Sequence, residues 1–251
     1  MLNKYALILV LALAPAFPAP ALPEFGLSAG GGLSLGGLFS RYTITADGMK
    51  ANQSMDQFNF GGFLFFDATY AELSLDIQGG LNKYKETAGG MGKTGLVNDT
   101  LLEGTGSETM LGFTLLGKYP FTLRKGLLLY PLAGIEYQIA LVEKRKPKGG
   151  AEHDRTEGKT EFDDSRDYSL YLWNSFFIDI GAGVDFVFRC PLFMRAEFLY
   201  SFRLQTPYET AAADYVVDRF GISQPTLWGN PRMSGLTHGP ELRLALGYRF
   251  K

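Results

Sequence analysis

The chain has 251 residues and a formal net charge of −2, a length that one domain can account for and a charge without a global electrostatic pull toward nucleic acid or anionic lipid. A single cysteine, Cys190, excludes an intramolecular disulfide and a four-cysteine metal centre. The 31 glycines and 14% aromatic residues, beside 20% charged residues, suit strands that bend sharply and approach closely.

The N-terminus has the pattern of a processing signal. Lys4 supplies a short basic region, Tyr5 to Ala14 an apolar run, and Ala19-Pro20-Ala21 the small residues of a cleavage site. Residues 1–21 are therefore expected to be a signal peptide, with cleavage before Leu22 and a single domain over 22–251. No cysteine follows the apolar run, so lipid attachment there is not expected. Beyond Leu22 no apolar stretch approaches the ~18 residues of a spanning helix. If this chain sits in a membrane, it must do so as a closed barrel, because unpaired backbone groups cannot face lipid.

Period-two alternation then recurs along the chain, as in strands with two unlike faces. Phe25, Leu27, Ala29, Leu33 and Leu35 oppose Gly26, Ser28, Gly30, Gly32, Ser34 and Gly36. Ala71, Leu73, Leu75, Ile77 and Leu81 oppose Glu72, Ser74, Asp76, Gln78 and Asn82. At the C-terminus, Pro240, Leu242, Leu244, Leu246, Tyr248 and Phe250 oppose Glu241, Arg243, Ala245, Gly247 and Arg249.

Strands are expected near 25–39, 57–66, 70–82, 109–119, 127–142, 172–189, 193–204 and 239–250. Their connections alternate in length. Those at Asp67-Ala68-Thr69, Pro120 to Gly126 and Cys190-Pro191-Leu192 are short; those near 40–56, 83–108, 143–168 and 205–238 are long. Short periplasmic turns and long external loops produce that alternation. Aromatic residues gather at strand ends: Tyr70, Tyr119, Phe121, Phe188, Phe193, Tyr248 and Phe250 near the short turns, and Phe39, Tyr42, Phe58, Tyr84, Tyr137, Trp173 and Phe202 toward the long loops. Two such belts suit two membrane interfaces. The expected fold is all-β: a closed antiparallel up-and-down transmembrane β-barrel of about eight strands. A soluble lipocalin-like barrel would share the alternation but turn its apolar face inward.

The ending Leu242-Arg-Leu-Ala-Leu-Gly-Tyr-Arg-Phe250 resembles the aromatic-terminated last strand read by the outer-membrane insertion machinery, with Leu246, Tyr248 and Phe250 as its signal residues. Here Lys251 follows Phe250, which departs from a terminal aromatic. The mature chain as a whole resembles the small eight-stranded outer-membrane barrels, a group that includes the OmpX, OmpW and opacity-type proteins. The segments Phe65-Phe-Asp-Ala-Thr-Tyr-Ala-Glu-Leu73 and Tyr130-Pro-Leu-Ala-Gly-Ile-Glu-Tyr137 are similar to spirochaete barrels. The resemblance implies a location in the bacterial outer membrane, and contact with its lipid and its insertion machinery. It implies no particular activity, since such families share a fold and differ in role.

With the apolar face on lipid, Glu72, Asp76, Glu136, Asp179, Asp185, Arg195, Glu197, Arg203, Glu241, Arg243 and Arg249 fall in the lumen. At eight strands a lumen is just wide enough to be filled by side chains. Charges inside it must pair, so an ion-paired plug is the first expectation. Phe63, Phe65, Leu116, Leu128, Tyr130 and Leu132 also point inward. They read either as packed core or as a pocket for a small apolar ligand, with space beside Gly30, Gly32 and Gly36 and a wall loosened at Pro131. The resemblance to OmpW-type barrels implies lateral passage of apolar molecules.

The loop from Glu143 to Asp167 is dense in charge and reads as solvated. Its acids Glu161, Asp163, Asp164 and Asp167 lack the regular spacing of a calcium loop, and no metal or cofactor is expected. Thr206-Pro207-Tyr208-Glu209 reads as a capping box, with Gly221 as a stop, so a surface helix is expected near 207–220. Gly89-Gly-Met-Gly-Lys-Thr94 lacks the first glycine and the following helix of a phosphate-binding loop. His238 near Ser234 is the one pairing that suggests a lipid-modifying hydrolase, without a clean carboxylate partner. The expected role is a non-enzymatic, monomeric surface scaffold whose loops meet extracellular or host ligands. Transport of small apolar molecules is the alternative and lipid hydrolysis the second alternative.

Overall fold

The computed structural model describes residues 26–46, 49–92, 95–148, 153–155, 175–188, 190–204 and 232–250. Ten strands are present among them. They are β1 (Ser28–Ala46), β2 (Met49–Asp67), β3 (Ala71–Gly92), β4 (Gly95–Lys118), β5 (Phe121–Arg124), β6 (Leu127–Pro147), β7 (His153–Arg155), β8 (Ser175–Val187), β9 (Leu192–Arg203) and β10 (Arg232–Arg249). Eight of them form one antiparallel ring in the order β4-β3-β2-β1-β10-β9-β8-β6, closed by pairing of β4 with β6. The short β5 and β7 are hairpin additions to β6. Closure leaves no edge strand in the wall.

Each wall strand keeps its period of two, and the two faces are sorted by polarity. The outer surface is leucine and phenylalanine: Leu33 is 70% exposed, Leu64 65% and Leu246 63%, with Leu73, Leu75, Ile77, Phe113, Ile180, Phe198 and Leu244 alongside. The interior holds Glu72, Asp76, Glu136, Asp179, Arg195 and Arg243, all at 2% exposure or less. A water-soluble barrel has the reverse arrangement. With every wall strand paired and the apolar side outside, hydrocarbon is the solvent that fits, and the architecture is that of an outer-membrane β-barrel.

Three connections at one end are short, as expected. At the first of them, Thr69 adopts φ 62°. Its N–H donates to Asp67 Oδ1 (2.8 Å), and its hydroxyl contacts both the carbonyl and the N–H of Gly26 (2.9 and 2.8 Å). That network offsets the left-handed backbone, which a β-branched residue seldom adopts. Gly126, at φ 82°, makes the turn between β5 and β6.

At the other end the expectation of long loops needs correction. β1 and β2 are separated by two residues, and so are β3 and β4, so most of 40–56 and 83–108 is strand. The apolar alternation ends where the lipid ends, but backbone pairing continues beyond it into water. Thr43, Ile44 and Thr45, for example, pair with Asn52, Ala51 and Lys50. The last strand, β10, also begins earlier than expected, at Arg232 instead of 239. The expected signal peptide, the expected helix near 207–220, the acidic cluster 161–167 and Trp173 lie outside the described residues.

The aromatic belts are corrected too. Tyr70, Tyr119, Phe188, Tyr248 and Phe250 are exposed at the short-turn end, and Phe39, Phe58 and Tyr137 toward the other. Phe193 is fully buried in the lumen, however, and Tyr84 is buried inside as well. Tyr42 also turns inward and hydrogen-bonds Thr237 (2.7 Å). All three share the parity of inward neighbours (Arg195, Asn82 and Ser40), and strand parity outranks closeness to a strand end.

Candidate functional site: the lumen

The lower lumen, at the short-turn end, is organised by Arg195 of β9. Its Nε lies 2.9 Å from Asp185 Oδ1 and its Nη2 3.0 Å from Asp185 Oδ2, a two-pronged pair across β8 and β9. The same guanidinium contacts Asp67 of β2 (2.5 Å) and Glu72 of β3, with Glu197 at 3.7 Å. Lys118 at the end of β4 pairs with Asp67 and lies 3.7 Å from Glu72. The Tyr130 hydroxyl is 2.9 Å from Asp185 Oδ1 and 3.0 Å from Glu197 Oε1, able to donate to either. Phe65 closes the other face of Arg195, ring centre 4.4 Å from the guanidinium carbon. Strands β2, β3, β4, β6, β8 and β9 are thereby tied at one level.

Higher up, Arg243 of β10 is fully buried. Its Nε donates to Glu241 (2.7 Å), its Nη1 reaches Ser74 (3.2 Å), and its Nη2 stands 3.9 Å from Asp76. Gln138 donates to Glu136 (2.9 Å) beside it. Asp179 is buried with neither carboxylate oxygen hydrogen-bonded. Four carboxylates, on Asp76, Glu136, Asp179 and Glu241, thus surround one guanidinium. Above them a small polar recess lined by Asn59, Gln78, Glu136, Gln138, Ser201 and Glu241 has room for about one water. It abuts the β1–β10 seam, where the paired register skips Gly37 and Leu38 opposite Pro240 and Gly239.

All eleven expected lumen charges face inward. Nine are buried, while Arg203 and Arg249 are half-buried toward the two ends, Arg249 at 3.9 Å from Asp185. The expected apolar pocket is corrected. Phe63 and Phe65 pack with Phe193 and Ala245 in one cluster, and Leu116, Tyr130 and Leu132 with Leu199 in another. Leu128 is half-buried and belongs to neither. The space expected beside Gly30, Gly32 and Gly36 is taken up: a Cβ on Gly30 would meet the Phe65 ring at 2.7 Å, on Gly32 the Leu244 carbonyl at 2.0 Å, and on Gly36 the Pro240 carbonyl at 3.1 Å. Tyr130 is also a polar member of the Arg195 network, not a pocket wall. Asp67, Lys118, Gln57, Asn59 and Thr114 belong to the lumen and were not anticipated, although Thr114 and Lys118 share the parity of Leu116.

The hydrolase geometry is absent among the described residues. His238 Nδ1 is held 2.5 Å from the Tyr200 hydroxyl, the two rings stacked 5.7 Å apart on the outer wall. Ser234 stands four residues along the same strand, on the order of 13 Å away at the usual rise. Among the described residues no cluster of three or more His, Cys, Asp or Glu side chains is arranged to hold a metal ion.

No protein-family model and no curated protein matches this chain. Solved structures that resemble it include the outer membrane protein OprG from Pseudomonas aeruginosa, with TM-score 0.44, 12% identity, and coverage of 90% of this chain and 96% of that one. Neisserial surface protein A has TM-score 0.35 and 10% identity, covering 87% and 97%. The attachment invasion locus protein Ail of Yersinia pestis has TM-score 0.31 and 15% identity, covering 90% and 99%.

Proposed function

We propose that the protein is a non-catalytic, monomeric surface scaffold: a barrel plugged by its own side chains that carries tall hairpins beyond the bilayer to meet extracellular or host ligands. The observation that carries this reading is the filled lumen. From Lys118 and Asp67 to Gln57 and Asn59, successive levels are occupied by ion pairs, amides and rings. A span needs about 9–11 tilted residues per strand, whereas β3 has 22 and β4 24, so roughly half of each stands clear of hydrocarbon. Leu246 and Tyr248 on the lipid face, followed by Phe250, give the insertion machinery an accessible aromatic edge. Planar-bilayer recording of the purified barrel tests the reading. A sealed bilayer is expected, and stepwise conductance from folded protein would overturn it.

The seam between β1 and β10 favours a second reading, lateral passage of small apolar molecules. Pro240 has no N–H to donate there, and the polar recess lies behind it. The backbones nevertheless stay close, since a Cβ on Gly239 would come within 1.7 Å of the Gly37 carbonyl. Uptake of an apolar dye into liposomes, blocked by a disulfide between the register partners Phe39→Cys and His238→Cys on the outer face of the seam, in a Cys190→Ser background, is the expected sign of this route. Equal uptake by empty liposomes removes it.

A further inference from the structure

We infer that the outer surface of β1, β2, β3, β4 and β6, just above the lipid-facing band, is a docking site for anionic phosphate-bearing lipid headgroups. The apolar face gives way to charge abruptly on three successive strands: Phe39 is followed outward by Arg41, Phe58 by Asp56, and Leu81 by Lys83. Registry then joins these positions laterally. One row runs Phe39, Asp56, Lys83, Thr105, Lys146, and the next Arg41, Ser54, Lys85, Glu103. Lys148 extends the second row through its N–H to the Glu103 carbonyl. Neighbours in a row stand about 4.8 Å apart, so five strands present a surface about 20 Å wide.

The two carboxylates in these rows are already engaged. Asp56 is paired with Arg41 at 2.5 Å, and Glu103 with Lys148 at 3.7 Å. Lys83, Lys85 and Lys146 are exposed and have no carboxylate within 4 Å among the described residues. Three uncompensated ammonium groups therefore stand at the edge of hydrocarbon, with Phe58, Phe60 and Leu81 directly below them. A bilayer phosphate arrives with acyl chains that those rings and the leucine already accommodate, which favours a membrane lipid over a soluble polyanion. At the outer ends of β8, β9 and β10 the described outward side chains include Phe176, Phe202, Leu204, Ser234 and Leu236, none of them charged, so among the described residues the charge lies on the β1–β6 arc. The inference is independent of whether the lumen conducts.

The test is boundary-lipid selectivity, read by electron spin resonance of spin-labelled phosphatidic acid against spin-labelled phosphatidylcholine around the reconstituted full-length barrel. Enrichment of the phosphatidic acid probe is expected for the native chain. It should fall severalfold toward parity in Lys83→Gln/Lys85→Gln/Lys146→Gln, and stay unchanged in Arg124→Gln/Lys125→Gln at the short-turn end. A second measurement needs no variant: raising salt to about 1 M, where the screening length is ~3 Å, should abolish the enrichment. Equal association of both probes with the native chain overturns the proposal, as does enrichment that survives the triple substitution or high salt. Lysine-dependent binding of soluble heparin without lipid selectivity also overturns it, in favour of a soluble polyanion.

Discussion

Arg195 on β9 reaches across the lumen to Asp67 on β2, Nη2 to Oδ2 2.5 Å, although these strands are not neighbours in the ring. The pair joins opposite walls through side chains alone. With Asp185, Glu72 and Glu197 on the same guanidinium, one cation links the β8–β9 side of the wall to the β2–β3 side, which share no backbone pairing.

Arg195→Ala should therefore cost about 3–5 kcal/mol, the range for removing one partner of a buried ion pair and leaving the others unmatched. Urea unfolding of the barrel in detergent micelles, followed by heat-modifiable gel mobility, measures it. An unchanged urea midpoint would show that the cluster contributes no stability.

Asp179 offers the opposite case. Its buried carboxylate makes no ion pair within 4 Å among the described residues and has only the neighbouring Ser201 hydroxyl as a donor, outside good hydrogen-bond geometry, whereas Asp185 is held by Arg195 and Tyr130. Asp179→Asn is expected to leave stability unchanged or raise it by up to about 2 kcal/mol, and Asp185→Asn to lower it. The same urea titration compares them, and equal losses would contradict the assignment.

Ile77 stands midway along the lipid-facing stretch of β3. Ile77→Arg should destabilise the barrel by about 2–4 kcal/mol in phospholipid vesicles, the cost of a cation near the midplane. Lys85→Leu, four residues beyond Leu81 on the same face, should cost almost nothing. Reversible folding into vesicles gives both numbers.

Closure of the ring depends on Gly30. A Cβ there would lie 2.1 Å from the Leu246 carbonyl oxygen, a backbone atom of the closing strand that cannot rotate away. Gly30→Ala should reduce the folded fraction sharply. Gly62→Ala, whose Cβ would meet only the Gly32 carbonyl at 3.5 Å, should fold as the native chain does. Band intensities of folded and unfolded forms on unheated gels report the difference.

Strand parity was legible in the sequence wherever an uninterrupted alternation ran for eight or more residues. Glu72 to Asn82 and Glu241 to Arg249 set their faces unambiguously, and the eleven lumen charges followed from parity. Strand ends were not legible in the same way. Asp67 and Lys118 are the last residues of β2 and β4; they keep the parity of Phe65 and Leu116, but the sequence does not show that the strand runs on through them before the turn. The tall hairpins were missed because apolar alternation measures bilayer thickness, not strand length. Asp47-Gly48, a favoured two-residue hairpin pair, was the available signal. Which inward apolar residues meet depends on the stagger of strands around the ring, and this is why six residues of one expected pocket divide between two clusters and one outlier.

The claim on which the rest depends is that hydrocarbon wets the leucine side of the wall. Nitroxide labels placed singly at Leu73, Ser74, Leu75, Asp76 and Ile77, in a Cys190→Ser background reconstituted in vesicles, test it through collision with oxygen and with a water-soluble nickel chelate. Labels at 73, 75 and 77 should collide with oxygen and exclude nickel, while those at 74 and 76 stay shielded from oxygen. Nickel access at 73, 75 and 77, or oxygen access that does not alternate along β3, would contradict a membrane-spanning wall.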